Sequence, residues 1–318
     1  MPSLFGEIRQ GCAFVAQQAE HVFLQEENLA AYAASLSLEL NPPVYDTVHH
    51  YMGSDDATLA YILILDSINF GSGYFPYMKK RTGMSGYFTV ASCLKDYFLK
   101  RGVPSPEALQ HLSAHDCQAI FEQESAGVID ELMLLFANAL NALGAYLLND
   151  FDGEYKNLIK EANGSAERLA RLLARIPYFQ DETVYKNRSI PLYKRAQITA
   201  SDLALAFDNE GYGYFKDLDK LTIFADNLVP HVLRLDGLLV YKDELLEKLV
   251  RGELLKAGSA EELEIRAVAV YAVECLAAEL AKLGKSVPPR QLDILLWDKG
   301  QADSYRKQSR HRTRTVFY

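Results

Sequence analysis

The sequence predicts an all-α fold, a single compact helical domain over residues 1–318, and three observations predict it. Apolar residues recur at helical spacing through nearly every segment. Period-two alternation is confined to TVYKNRSIPLYK at 183–194. With 49% of the 318 residues apolar, and no repeat or low-complexity linker, the chain can bury one large core without a domain boundary.

Taken in order, the first expected helix runs from Glu20 to Leu40, on the spacing of Phe23, Leu24, Leu29, Tyr32, Leu36 and Leu38, and Asn41-Pro42-Pro43 stops it. VYDTVHHY then places His49 and His50 in a connection, where adjacent histidines are either polar surface or ligand contacts. ATLAYILILDSINF reads as a helix buried on nearly every side, ending at the glycines of GSGYF. Asp66, Ser67 and Asn69 at its end need partners, because a buried polar group without one costs a few kcal/mol. Asp66 and Asn69 therefore brace a backbone or face a polar cavity.

SGYFTVASCLKDYFLKRG aligns Tyr87, Val90, Cys93 or Leu94, and Phe98 on one face. Ser105 and Pro106 read as an N-cap and a first helical position. VIDELMLLFANALNALGAYLLND is long and rich in Ala and Leu, a candidate central helix. GSAERLARLLARIPYF and KDELLEKLVRGELL are amphipathic. Ser259 to Glu262 matches a capping box opening a helix to about Gly284, with Glu264 and Arg266 near its start expected as a solvated pair unless Glu264, in its apolar neighbourhood, points inward.

The formal charge of −9 argues against a chain that tracks a phosphate backbone, so no nucleic-acid partner is expected. The one basic stretch, RKQSRHRTRTVFY, is either an arm or folds back onto an acidic body. Cys12, Cys93, Cys117 and Cys275 lie far apart without a C-x-x-C, which points away from zinc and disulfides and towards a reducing cytoplasm. No signal-like segment opens the sequence, and the run LAYILILDSINF is too short to span a bilayer, so no membrane partner is expected either.

Phosphate-loop, dinucleotide, H-E-x-x-H and G-x-S-x-G signatures are missing from the sequence. Carboxylate and lysine chemistry remains, and the stretch 190–237 carries it. Cleavage of a sugar–base bond suits that inventory, because one carboxylate can stabilise an oxocarbenium-like transition state and direct water. Asp226 is the candidate carboxylate. Lys194 can hold a phosphate or the leaving base, and Asp202, eight residues on, can hold Lys194.

KRAQI, LDSINF, FADNLVP, GSAEELEIRA, LDILLW and HRTRTVFY occur in an order and spacing that resemble the queuosine salvage proteins, from about Phe14 to Tyr318. The resemblance implies a fold similar to the helix-hairpin-helix DNA glycosylases. It implies hydrolysis of queuosine 5′-monophosphate to queuine and ribose 5-phosphate, with no metal or cofactor and a small-molecule nucleotide as partner. Asp226 would then act at the sugar with Lys194 as its catalytic or phosphate-holding partner. Asp66, Asn69 and Phe70 would line the base pocket, with His49 or His50 beside it, and Arg312 and Arg314 would reach the 5′-phosphate or brace Glu264 or Asp298.

The sequence departs from the family pattern in two places. Where many members read N-F-C-F-W, Asn69 and Phe70 are followed here by Gly71-Ser72-Gly73-Tyr74-Phe75, so Tyr74, Phe75, Tyr87 or Phe88 must rebuild the aromatic wall. Where many read F-A-D-Y-R-V-P-Q, Asn227, Leu228 and His231 stand here. A related 7-deazapurine or the nucleoside is the alternative substrate, and a nucleic-acid base glycosylase or a non-enzymatic modified-base binding protein the alternative function.

Overall fold

The structure, a computed structural model, describes residues 3–38 and 44–318. The expected helix end at Leu40 and the Asn41-Pro42-Pro43 stop lie outside them. The chain is mostly helical and divides into two compact units, each assembled from three stretches of sequence. The first comprises 1–43, 181–194 and 219–314, the second 44–180, 195–218 and 315–318.

The first unit opens with α1 (Leu4–Gln18), β1 (Val22–Leu24) and α2 (Leu29–Ser35). Helix α1 buries Leu4, Phe5, Ile8, Cys12 and Val15. The expectation of one helix from Glu20 is corrected here, since Phe23 and Leu24 lie on a strand. Glu264 Oε2 accepts the consecutive amides of Glu20, His21 and Val22 at 3.0, 2.6 and 3.1 Å, which ties this stretch to a distant residue instead of to a helical ladder of its own.

The second unit carries α3 (Asp55–Ser67), α4 (Gly86–Arg101), α5 (Pro106–Gln110), α6 (Ala114–Ile120), α7 (Val128–Asp150), α8 (Tyr155–Ala162) and α9 (Ala166–Leu173). Helix α3 is buried on every face from Ala57 to Ser67, as its sequence predicts. Ser85 caps α4 through the Phe88 amide and Ser105 caps α5 through that of Ala108. By length and composition α7 could cross a membrane, yet it buries Ile129, Leu132, Met133, Phe136, Leu140, Leu143 and others, and packs against α3, α5 and α6. Gly144 marks the closest approach to α5. A Cβ there would stand 2.5 Å from the Pro106 carbonyl oxygen and 2.8 Å from the Gln110 nitrogen.

The hairpin β2 (Glu182–Tyr185) and β3 (Arg188–Pro191) belongs to the first unit and explains the period-two alternation. Lys186 and Asn187, both at positive φ (46° and 64°), close it as a two-residue turn that matches strand twist. Helix α10 (Lys194–Ala206) starts on the last residue of the first unit and otherwise belongs to the second.

The first unit resumes with α11 (Val229–Leu235), β4 (Leu239–Tyr241), α12 (Asp243–Val250), α13 (Ala260–Lys282), α14 (Pro289–Lys299) and α15 (Asp303–Arg306). Strand β4 pairs antiparallel with β1, Val22 opposite Tyr241. Helix α13 is the core of this unit, touched by α1, α2, β1, α11 and α14. Ser259 caps it, but the Glu262 carboxylate accepts from Gly258 rather than from the cap residue. The expectation of a solvated Glu264–Arg266 pair is overturned, with Glu264 at 0% and Arg266 at 1% exposure. Each is instead bonded to other elements, because a charge buried this deeply must be compensated.

Candidate functional site

In the first unit every residue from Leu221 to Leu233 is buried except Asp226, which is partly open. Asp226 stands just before α11, and its Oδ1 accepts the amides of Leu228 (2.7 Å) and Val229 (3.2 Å). That fixes one oxygen on a helix N-terminus. Oδ2 makes no hydrogen bond among the described residues.

Two further side chains suspend the loop. The Phe224 amide donates to Asp293 Oδ1 of α14 at 2.8 Å. Arg266 Nε of α13 donates to the Ala225 carbonyl at 2.9 Å. Asp226 is thus held from three directions by three helices.

Arg266 also leads to the lysine. Its Nη1 and Nη2 donate to Asp181 at 3.0 and 2.6 Å, a bidentate pair, and Nη1 reaches Glu262 at 3.4 Å. Asp181 Oδ2 accepts the Lys194 amide at 3.1 Å, and its carbonyl takes the amides of Leu192 and Tyr193. Tyr193 adopts φ 46°, a left-handed conformation that strains a residue with a Cβ, immediately before Lys194. A single buried guanidinium therefore ties the residue before Asp226 to the acid that seats Lys194.

Burial and the neighbouring Asp226 push the Asp293 carboxyl well above the usual carboxylate range, against the pull of the Phe224 amide and Lys194. Asp226, Lys194 and Asp293 thus share one electrostatic neighbourhood. Asp293 lies in LDILLW, and the signal for it was a lone acid inside an apolar helical run.

In the second unit the residues expected at the base form a cluster. His49 Nδ1 meets Asp46 Oδ2 at 2.6 Å and its ring lies 4.3 Å from that of Phe88. His50 bonds the Asp46 carbonyl through Nδ1 (3.0 Å) and the Tyr87 hydroxyl through Nε2 (2.8 Å). The Tyr45 and His50 rings are 5.5 Å apart. Burial, then the charges of Asp202 and Asp66, raise the Tyr45 and Tyr87 hydroxyls above the ordinary phenol value. Burial lowers His50. Polar hydroxyls, imidazoles and three carboxylates, Asp46, Asp66 and Asp202, meet here, with Tyr45 a member that sequence reading missed.

Asp66 is fully buried, with Asn69 Nδ2 3.4 Å from its Oδ1. Arg195 braces the end of α3 through the carbonyls of Asp66 (3.1 Å) and Ser67 (2.6 Å), and bonds the Tyr178 carbonyl. Its guanidinium lies 4.9 Å from the Phe70 ring and 4.6 Å from that of Phe179. Phe70 also meets Phe136 edge-on and is 2% exposed, so it packs behind the cluster.

Of the terminal arginines, Arg312 donates to the Gly252 carbonyl at 2.6 Å, and its main chain bridges Leu254. Arg314 is half-buried. The chain end docks, with Tyr318 buried and its carbonyl accepting the Gly71 amide at 3.1 Å within the second unit. Among the described residues no three His, Cys, Asp or Glu side chains converge as a metal site.

A family model described as queuosine salvage protein matches residues 49–318. A protein of Sphaerobacter thermophilus named queuosine 5′-phosphate N-glycosylase/hydrolase is 36% identical over 96% of this chain and 95% of its own length. Proteins of the same name from Mus musculus and Bos taurus are 30% and 29% identical, each over 98% of both chains. By that match, which covers most of its length, the chain belongs to the queuosine salvage protein family.

Proposed function

We propose that this chain hydrolyses the N-glycosidic bond of queuosine 5′-monophosphate, releasing queuine and ribose 5-phosphate for salvage. The observation that carries the reading is the likeness, along nearly the whole of both chains, to bacterial and mammalian relatives named for that activity. The carboxylate it calls for matches Asp226, the one partly open residue in a buried run.

In this reading the C–N bond breaks with its electron pair leaving on the base nitrogen, and positive charge gathers on the ribose ring. A 7-deazapurine lacks the N7 at which ordinary purines accept a proton, so stabilising the sugar cation matters more. Asp226 does this with an oxygen already fixed by two amides, which removes the need to reorganise during the reaction. Its free oxygen takes the proton of the water that adds to the anomeric carbon, and that proton ends on the departing base nitrogen, which releases neutral queuine and restores the carboxylate. Lys194 is its partner, holding phosphate, sugar or base.

His49, His50, Asp66, Asn69, Tyr87, Phe88 and Asp202 belong to recognition of the base, with Phe70 supporting them from behind. Asp66 and Asp202 supply the negative field that suits queuine's secondary amine, a cation at neutral pH. The same reading carries a likeness of fold to the helix-hairpin-helix DNA glycosylases and a cytoplasmic place of work. The partner it expects is a small-molecule nucleotide rather than nucleic acid or a membrane.

The test is to incubate the purified protein with queuosine 5′-monophosphate, queuosine and guanosine monophosphate and to separate free base by chromatography. Queuine from the monophosphate is the expected result, and no queuine from either queuosine form would sink the reading. Asp226→Asn is expected to lower turnover roughly 10²-fold or more, with an unchanged circular dichroism spectrum.

A further inference from the structure

The arginines Arg312 and Arg314 were expected at the 5′-phosphate, and the structure gives Arg312 other work at the Gly252 carbonyl. Another arginine of the same stretch stands better placed. Asn227 Nδ2 donates to the His311 carbonyl at 3.3 Å, so the side chain next to Asp226 reaches the backbone next to Arg310. Asn227 and His311 are both buried, at 6% and 2% exposure, which pins the two segments together.

The Arg310 side chain is exposed at that junction and makes no hydrogen bond or ion pair among the described residues. Crowding by the surrounding protein lowers its guanidinium below the ordinary arginine value, while Asp226 attracts it and Arg306 repels it. Arg306 is exposed too, and its side chain likewise makes no hydrogen bond or ion pair among the described residues. Nearby His231 and His311 are pushed down by burial, to about 4 and about 3, and carry no charge at neutral pH. One uncommitted guanidinium, Arg310, therefore stands beside the candidate catalytic carboxylate, with Arg306 next to it.

We infer that Arg310, assisted by Arg306, is the subsite that binds the substrate's 5′-phosphate and sets the preference for nucleotide over nucleoside. The inference rests on the proposed hydrolysis. Phosphate and anomeric carbon belong to one pentose, so whatever holds the phosphate must stand within a sugar's length of Asp226. A phosphomonoester carries about −1.5 to −2 charges at pH 7, which one arginine leaves under-compensated and two match. Arginine meets such an oxygen pair with two parallel N–H donors.

The experiment compares wild type, Arg310→Ala, Arg310→Lys and Arg306→Ala in the full chain. The readout is the ratio of kcat/KM for queuosine 5′-monophosphate to kcat/KM for queuosine. Removing a positive charge near Asp226 affects both substrates, and the ratio isolates what concerns phosphate. Arg310→Ala is expected to lower it about ten- to a hundred-fold, mostly through KM, as loss of a charge-assisted bond does. Arg310→Lys is expected to keep part of the preference, and Arg306→Ala to lower it less. Calorimetry with ribose 5-phosphate is expected to show binding to wild type weakened at least tenfold in Arg310→Ala. An unchanged ratio, or equal ribose 5-phosphate affinity, overturns the inference. If wild type cleaves neither substrate, the proposed hydrolysis fails while the calorimetry still decides the subsite.

Discussion

Arg266 is 1% exposed, and its bonds to Ala225 and Asp181 help set the positions of Asp226 and Lys194. Arg266→Lys keeps the charge but loses the fork that reaches Asp181 and Ala225 together. The expected outcome is a fall in kcat of tenfold or more and a loss of roughly 3–5 kcal/mol in stability, read by steady-state kinetics and urea denaturation. Asp293 behaves differently. Its carboxyl is raised in the fold, so it favours the neutral form, and the stability it contributes is full below the ordinary carboxylate value and lost as pH rises towards its folded value. Asp293→Asn keeps an acceptor for the Phe224 amide and escapes that loss. Its melting temperature is expected to gain on wild type as pH goes from 4 to 8, and a constant difference would count against the buried acid. Asp226 and Lys194 were legible in the sequence because they are charged residues left over once other chemistries are excluded. Arg266, Asp181 and Asp293 were not, since buried charges read as surface ones until their partners, up to 85 residues away, are known.

At the scale of elements, legibility followed periodicity. Helices α3, α4, α5 and α7 were readable because apolar spacing and cap residues agreed. Helix α1 was equally periodic at Leu4, Phe5, Ile8, Cys12 and Val15, but the segment was weighed only as a leader. Strand β1 was not readable, because the Val22 amide is held by Glu264, 242 residues away. The packing of α5 on α7 gives a sharper expectation. At Gly144 the atoms a methyl group would meet are main chain, which yields only if α5 moves. Gly144→Ala is therefore expected to destabilise by about 1–3 kcal/mol despite its better helix propensity, measured by chemical denaturation.

For the molecule as a whole, pH acts through buried histidines. His231 and His311 are pushed down by burial to about 4 and about 3, so the unfolded chain takes up their protons first as pH falls. Stability is full above about pH 6.5 and is lost progressively from there down to about pH 3. Thermal unfolding followed from pH 7.5 to 4.5 is expected to show that descent, and His311→Gln to flatten it. The threading of the two units reaches further, into how the protein is made. Each unit draws on three separated stretches of chain, and the second draws its last piece from 315–318. A ribosome therefore makes 44–180 and then, soon after, 195–218, but the last piece of the same unit only after the ninety-odd residues of 219–314 have followed. Neither unit is complete until residues up to 314 and 318 have been made, so both close late in synthesis.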